Sequence, residues 1–319
     1  MPFTLDYEPS RFSSPRPGYD GTSLQDAARA FATEEACFDH VLQRRLEPEA
    51  ECTKCHKVGH WYRRRGYKYL QHACGAAISP LAGTLLHATK LPLRLWFYAM
   101  LHFANSHEGV NSGFLERQLG IGYLAAFRMA HKIRLHMAAI EELSRGSEQY
   151  DSVHARLEII NNVRTGPHHR DIANILLAAA GQRVEVAVID EVRRHTVKRV
   201  ISDLMPGQKE ILTTCYRTSR VFAAYGVRRP LATYVPRHFI DHPDEIDTIS
   251  GFMSYFLWPF RTNHRHVSHA HLWLYIKEFQ FRYNRRHRSR DTYWDMVSAF
   301  PQIFPKKLSG ANSLIDPGA

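Results

Sequence analysis

"ECTKCHKVGHWYRRRGYKYLQHACG", residues 51–75, is the stretch on which the reading of this chain turns. Cys52 and Cys55 form a C-x-x-C pair, and Cys74 follows with His72 two positions before it. Zinc takes about four thiolate or imidazole ligands in a tetrahedron, and two close-spaced pairs on two turns supply them. A second pair of the usual spacing would put a cysteine near Gln71; His72 is the choice for the missing ligand, with His56 and His60 as competitors. Between the pairs, "WYRRRGYKYLQ" alternates and turns at Gly66, as the hairpin of a zinc ribbon does. Cys52-Thr53-Lys54-Cys55-His56 also spells the signature of covalent haem attachment. That chemistry takes place outside the cytoplasm, so the absence of a visible export signal argues against haem. A hairpin that has lost its metal is the other alternative.

The rest of the composition frames this site. The chain has 319 residues, 44% hydrophobic and 23% charged, enough for two modest domains or one large one. Lys and Arg number 42 against 31 Asp and Glu, a net charge of +11, and basic proteins of this size commonly meet a polyanion, above all nucleic acid. The N-terminal "MPFTLDYEPSRFSSPRPGYDG" lacks a signal-peptide core, and no stretch reaches the ~18 apolar residues of a membrane span. The expectation is a cytoplasmic, nucleoid-associated protein with no membrane partner. Five cysteines, three of them within 23 positions, suit a metal site rather than disulfides, with Cys37 and Cys215 as ordinary buried thiols.

The chain divides into a loose leader (1–22), an N-terminal helix (23–50), the ribbon (51–80), a helical region (90–145), a mixed α/β domain (153–295) and a tail (296–319). "KLPLRLWFYAMLHFANS" reads as an apolar helix. "NSGFLERQLGIGYLAAFRMAHKIRLHM" then gives a short helix, a Gly120-Ile121-Gly122 turn and a longer helix, which is helix-turn-helix punctuation. Beyond Ala155, "ARLEIINNV", "RVEVAVIDEV", "VKRVISDL" and "KEILTTCYR" read as strands, "TSRVFAAYGV" as a helix, and "IDTISGFMSYFLWPF" and "VSHAHLWLYIKEFQFRYNRRHR" as helices. The fold class expected is α+β.

This order of parts resembles bacterial insertion-sequence transposases of the ISXO-like group. The stretches "LAGTLLHATKLPLRLWFYAMLHFANSHEGVNSGFLERQLGIGYLAAFRMAHKIRLHM" and "NHRHVSHAHLWLYIKEFQFRYNRR" carry most of the likeness, which spans about residues 25–290. The resemblance implies a zinc ribbon, a helical DNA-binding segment, an RNase H-like DDE-type domain and a homodimer. Such domains hold two Mg²⁺ on carboxylates from neighbouring strands and a helix. Here the sequence departs from the family's pattern. Ile160 in "LEIINNV" and Thr214 in "ILTTCY" stand where the first two acids belong, and only Asp247 in "DTISGFMS" retains one. Glu158 shares a strand face with Ile160, and Asp190 and Glu191 follow on the next strand, but one rung is a displacement of roughly 6–7 Å. Two metals ~3.5–4 Å apart do not tolerate that. The expectation is an inactive centre, with Mg²⁺ only if displaced carboxylates restore it.

For double-stranded DNA, the helix after Gly122 opens with Tyr123-Leu124-Ala125-Ala126, side chains poor at reading base edges. Arg128, Lys132 and Arg134 suit phosphates, as do Arg63, Arg64 and Arg65 in the ribbon and Arg282, Arg285 and Arg286 near the end of the chain. His264, His266, His269 and His271 invite a second metal site, though a polar or DNA-facing edge fits them better. The sequence thus reads as a DNA-binding protein of transposase descent without catalysis. An active Mg²⁺-dependent transposase and a protein-interaction scaffold are the competitors.

Overall fold

The computed structural model describes residues 21–45, 51–63, 68–145, 152–161, 163–164, 172–189, 192–205, 210–213, 233–234, 244–264, 267–301 and 303. The N-terminal helix is two helices, α1 (Leu24–Ala30) and α2 (Glu34–Arg45). Thr33 sets the break, because its hydroxyl accepts the Ala36 N–H at 3.1 Å and starts a new helix, as Ser23 starts α1 by accepting the Asp26 N–H at 3.1 Å. Three short strands follow: β1 (Trp61–Arg63), β2 (Leu70–His72) and β3 (Ala77–Ile78), paired antiparallel in that order.

Helix α3 (Leu93–Asn105) starts after Pro92, which has no capping oxygen. Glu34 of α2 supplies one, accepting the N–H groups of Leu93 at 2.8 Å and Arg94 at 3.2 Å. Helix α4 (Ser112–Leu119) is capped by Asn111 and closes on Gly120, whose φ of 62° is the left-handed conformation that ends helices. Helix α5 (Tyr123–Arg145) then runs for 23 residues.

The second half is built on β4 (Ser152–Asn161), β5 (Val163–Arg164), β6 (Ile172–Ala180), β7 (Arg183–Ile189), α6 (Arg194–Leu204), β8 (Glu210–Thr213), β9 (Thr233–Tyr234), α7 (Asp244–Asn263), β10 (Val267–Ser268), α8 (His269–Asn284) and α9 (Ser289–Ser298). The main sheet has the order β7-β6-β4-β8-β9. β4, β6 and β7 form an antiparallel meander, and β8 and β9 continue it in parallel. Helix α6 covers one face and α7 and α8 the other.

One sequence expectation changes here, and one strand appears that the sequence reading did not name. "VKRVISDL" is not a strand but lies in α6. Val197, Val200, Ile201 and Leu204 repeat at helical spacing and are all buried against Leu176, Ala178 and Ile189. Conversely "IANILLAAA", which has no alternation to announce a strand, is β6. It lies between two layers: Ala173, Ile175, Leu177 and Ala179 join one core, Leu176, Ala178 and Ala180 the other. A strand buried on both faces reads as a continuous apolar run. "TSRVFAAYGV" lies outside the described residues.

Candidate metal centre and nucleic-acid face

The ribbon brings Cys52, Cys55, His72 and Cys74 together, their ligand atoms all within 4.8 Å of one another. Cys52 Sγ lies 3.6 Å from Cys74 Sγ, and His72 Nδ1 lies 3.6 Å from Cys55 Sγ and 3.1 Å from Cys74 Sγ. A tetrahedral ion with metal–sulfur bonds of about 2.3 Å needs edges of about 3.8 Å, so the four donors are near the required separation. These four residues can therefore hold a metal ion.

Two matched turns produce the cluster. In the first, Cys52 N–H donates to Lys57 O at 3.0 Å, and His56 N–H returns to Cys52 O at 2.8 Å. In the second, His72 N–H donates to Ala76 O and Gly75 N–H returns to His72 O, both at 2.8 Å. The left-handed residue after the last cysteine is His56 (φ 57°) in the first turn and Gly75 (φ 83°) in the second. His72 thus occupies in its turn the place of Cys52 in the other, on a turn one residue shorter. Its two competitors are elsewhere: His56 Nδ1 is 2.7 Å from Glu51 Oε1, and both His56 and His60 are exposed. Burial works to raise the Cys52 thiol, but the Lys54 and Cys55 amides and the neighbouring sulfurs hold its pKa below the ordinary range. The Cys55 thiol moves the other way: the Lys57 amide works to lower it, but burial and the Cys74 and Cys52 sulfurs raise it, as expected where several thiols crowd one another.

The basic residues separate into two groups. Arg128 is exposed and has no ion pair or hydrogen bond among the described residues, and Tyr123, at the start of the same helix, is 57% exposed. Lys132 is half-buried over the Trp96 ring and donates to His87 O at 2.9 Å. Arg63 pairs with Asp39 and lies 4.4 Å over the Phe38 ring, so it fastens the ribbon to α2. Arg64 and Arg65 lie outside the described residues.

Arg134, Arg282 and Arg285 are corrections, because all three are buried and out of reach of any phosphate. Glu278, fully buried on α8, accepts from Arg134 Nε and from Arg282 Nη1, each at 2.7 Å, and from Val110 N–H at 3.1 Å. Desolvation alone would raise its pKa, but the two guanidiniums override this and hold it at about 2. Glu141, buried on α5, pairs with Arg285, takes Arg183 Nη2 at 3.2 Å and takes Asn284 Nδ2 at 3.0 Å. This ionic junction joins α5 to α8 and to β7. Arg286 is half-buried on the rim, donating to Gln182 O and Tyr283 O, each at 2.9 Å. The acids of the junction carry no motif; the only local signal is the i,i+4 spacing of Glu278 and Arg282.

Of the degenerate positions, Ile160 is fully buried near the end of β4, paired with Ala173 and packed in the larger core. Glu158 is paired with Arg156 on the same strand. Thr214, Asp190, Glu191 and the side chain of Asp247 lie outside the described residues; Asp247 itself belongs to α7. The histidine cluster does not assemble among the described residues. His264 is buried beside Tyr275, whereas His271 is exposed and meets His131. His266 lies outside them.

No protein-family model, curated protein or solved structure matches the chain. No described helix is long and apolar enough to cross a membrane.

Proposed function

We propose that this chain is a zinc-ribbon, DNA-binding protein of insertion-sequence transposase descent whose catalytic centre no longer holds metal. The observation that carries the binding role is the α4–α5 unit. Its Gly120-Ile121-Gly122 turn puts the exposed first turns of α5 at the surface of a chain with net charge +11. Three sulfurs and one imidazole nitrogen within bonding reach of one point favour zinc as the ribbon's ion, in a structural role, since all four positions are filled by protein.

The descent is supported by where the three degenerate positions belong. Ile160 is on β4, position 214 directly follows β8, which pairs with β4, and Asp247 is on α7, which packs on β4. The likeness reaches the choice of elements, two neighbouring strands and a helix, but not their register: Leu212 is level with His154, six residues before Ile160. The buried, apolar setting of Ile160 supports loss of metal binding, because it offers no oxygen to a strongly hydrated Mg²⁺. A homodimer on duplex DNA completes the proposal.

Two measurements test it. Duplex affinity should fall steeply with salt, with a slope of log K against log salt of about −4 for four or five phosphate contacts. Supercoiled and precut linear DNA incubated with Mg²⁺ or Mn²⁺ should remain uncut and unjoined. Cleavage that disappears in Glu158→Ala or Asp247→Ala would make the protein an active transposase with displaced ligands. Absence of DNA binding would leave the scaffold reading.

A further inference from the structure

We infer that the tip of the α4–α5 unit is a stacking surface for unpaired DNA bases. This rests on the DNA-binding reading above and narrows its ligand. The tip carries large apolar side chains in solvent: Tyr123 is 57% exposed, Leu124 59% and Phe127 41%. Solvated apolar groups clustered in this way on a soluble chain mark a binding surface. Neither Leu124 nor Phe127 can hydrogen-bond a base edge, so the group is poorly suited to reading an intact major groove. Aromatic faces beside cations are suited to something else, the π-face of an exposed base with its phosphate held alongside.

The surroundings decide between nucleic acid and protein as the occupant. Arg117 at the end of α4 and Arg128 on α5 are exposed and have no ion pair among the described residues, with Gln118 exposed beside Arg117. The sequence from Arg117 to Ile140 contains no acid, and Glu116, the one acid of α4, is half-buried. The first turn of α5 has no acidic residue, and Gly122 before it has no side chain to cap its amides. These free amides favour an anion. A second copy of the same face would bring Arg117 and Arg128 against their own kind, so self-association through it is disfavoured.

The spacing selects the state of the DNA. Tyr123 and Phe127 are four residues apart, just over one helical turn and about 6 Å along the axis. Successive bases stacked in duplex DNA are about 3.4 Å apart. A strand that covers both rings therefore has its bases splayed, as in single-stranded or melted DNA.

The test uses the full chain purified with zinc and three oligonucleotides of one length: a thymine-rich single strand, a duplex, and a duplex with a central unpaired bubble. At equal salt, the single strand and the bubble should bind more tightly than the duplex. Tyr123→Ala and Phe127→Ala should each weaken single-strand binding roughly 5- to 150-fold while changing duplex binding little. Tyr123→Trp should preserve it, and the indole of Phe127→Trp should be quenched on binding. Both side chains are exposed, so thermal midpoints should match the parent. Equal affinity for all three DNAs, or parallel losses on duplex and single strand, overturns the stacking surface but leaves the DNA-binding reading standing. A changed sedimentation state in the double alanine variant, with DNA preference intact, makes the face a protein interface instead. Binding to none of the three DNAs sinks both.

Discussion

The ribbon and the α5–α8 junction both gather ionisable side chains, and they are organised in opposite ways. The four ligands of the ribbon lie between positions 52 and 74 and are set by two backbone turns. The pairs of the junction, Arg134 with Glu278 and Glu141 with Arg285, each span 144 residues. The ribbon collects electron donors that can hold a cation from outside. The junction contains its own counter-charges, carboxylates and guanidiniums in nearly equal supply. The ribbon is therefore open to its surroundings and conditional on them, whereas the junction is closed and binds the two halves of the molecule together whatever the solvent holds.

If that contrast is right, the largest single effect comes from removing the metal. Structural zinc sites bind with an apparent free energy of about 10–16 kcal/mol in isolated finger peptides, and that binding is folding energy. Cys52→Ser or Cys74→Ser should reduce zinc content from about one per chain toward none, by elemental analysis. Limited proteolysis should then cut within residues 51–80 while α3, α4 and α5 remain protected. Full zinc content in both variants would break the ligand assignment.

The junction should fail differently. Glu278→Ala leaves Arg134 and Arg282 buried without their shared counter-ion, a change that costs about 3–5 kcal/mol in comparable settings. Urea unfolding should show that loss with zinc content unchanged. Glu158→Ala, which removes a partly exposed pair with Arg156, should cost no more than about 1 kcal/mol. Similar losses from the two substitutions would mean that the junction contributes no more than an ordinary surface ion pair.

Acid should also act on the body of the molecule. Burial depresses His136, His154 and His264 from the ordinary 6.5 to about 4. Between those values the unfolded chain binds protons that the folded chain refuses, so stability falls as pH falls. Each histidine adds up to about 1.4 kcal/mol per pH unit in that window. Glu278, held at about 2 against the ordinary 4.5, has the same sign further down: its contribution is complete above 4.5 and is lost as pH drops toward 2. Urea midpoints from pH 7 to 4 should decline steeply, and His264→Gln should flatten the slope. A flat profile over that range would show that these rings take up protons in the folded state.

The same contrast explains what the sequence disclosed. Cys52, Cys55, His72 and Cys74 were legible because their relation is local, a matter of spacing and turn residues. The helix boundaries at Gly120 and Asn111 were legible for the same reason. Strand β6 was hidden because burial on both faces removes alternation, and α6 was misread because Val197, Val200 and Ile201 are β-branched although their spacing is helical. The arginines were misassigned for a third reason. A guanidinium looks the same in sequence whether it faces a phosphate or a carboxylate 144 residues away, and only the fold supplies the carboxylate.

The smallest effect predicted is also the most discriminating, because it compares two arginines on one helix. Arg128 and Arg134 are six positions apart on α5, yet Arg128 is exposed and Arg134 is 3% exposed. Six residues are about 600° of rotation at 3.6 residues per turn, which puts the two on different faces of the helix. Arg128→Ala should therefore leave the unfolding midpoint within about 0.5 kcal/mol of the parent. If Arg128 meets a phosphate, the salt slope of DNA binding should become shallower by about 0.9. Arg134→Ala should do the reverse: it removes the bond to Glu278 and the 2.6 Å bond to Val110 O, so stability falls. The salt slope measured on its remaining folded fraction should stay at the parent value. An unchanged slope in Arg128→Ala would remove α5 from the phosphate-binding surface and transfer the electrostatic part of binding to the ribbon. A shallower slope in Arg134→Ala would mean that the junction opens on DNA and releases its arginines, and the division between a closed junction and an open ribbon would then fail.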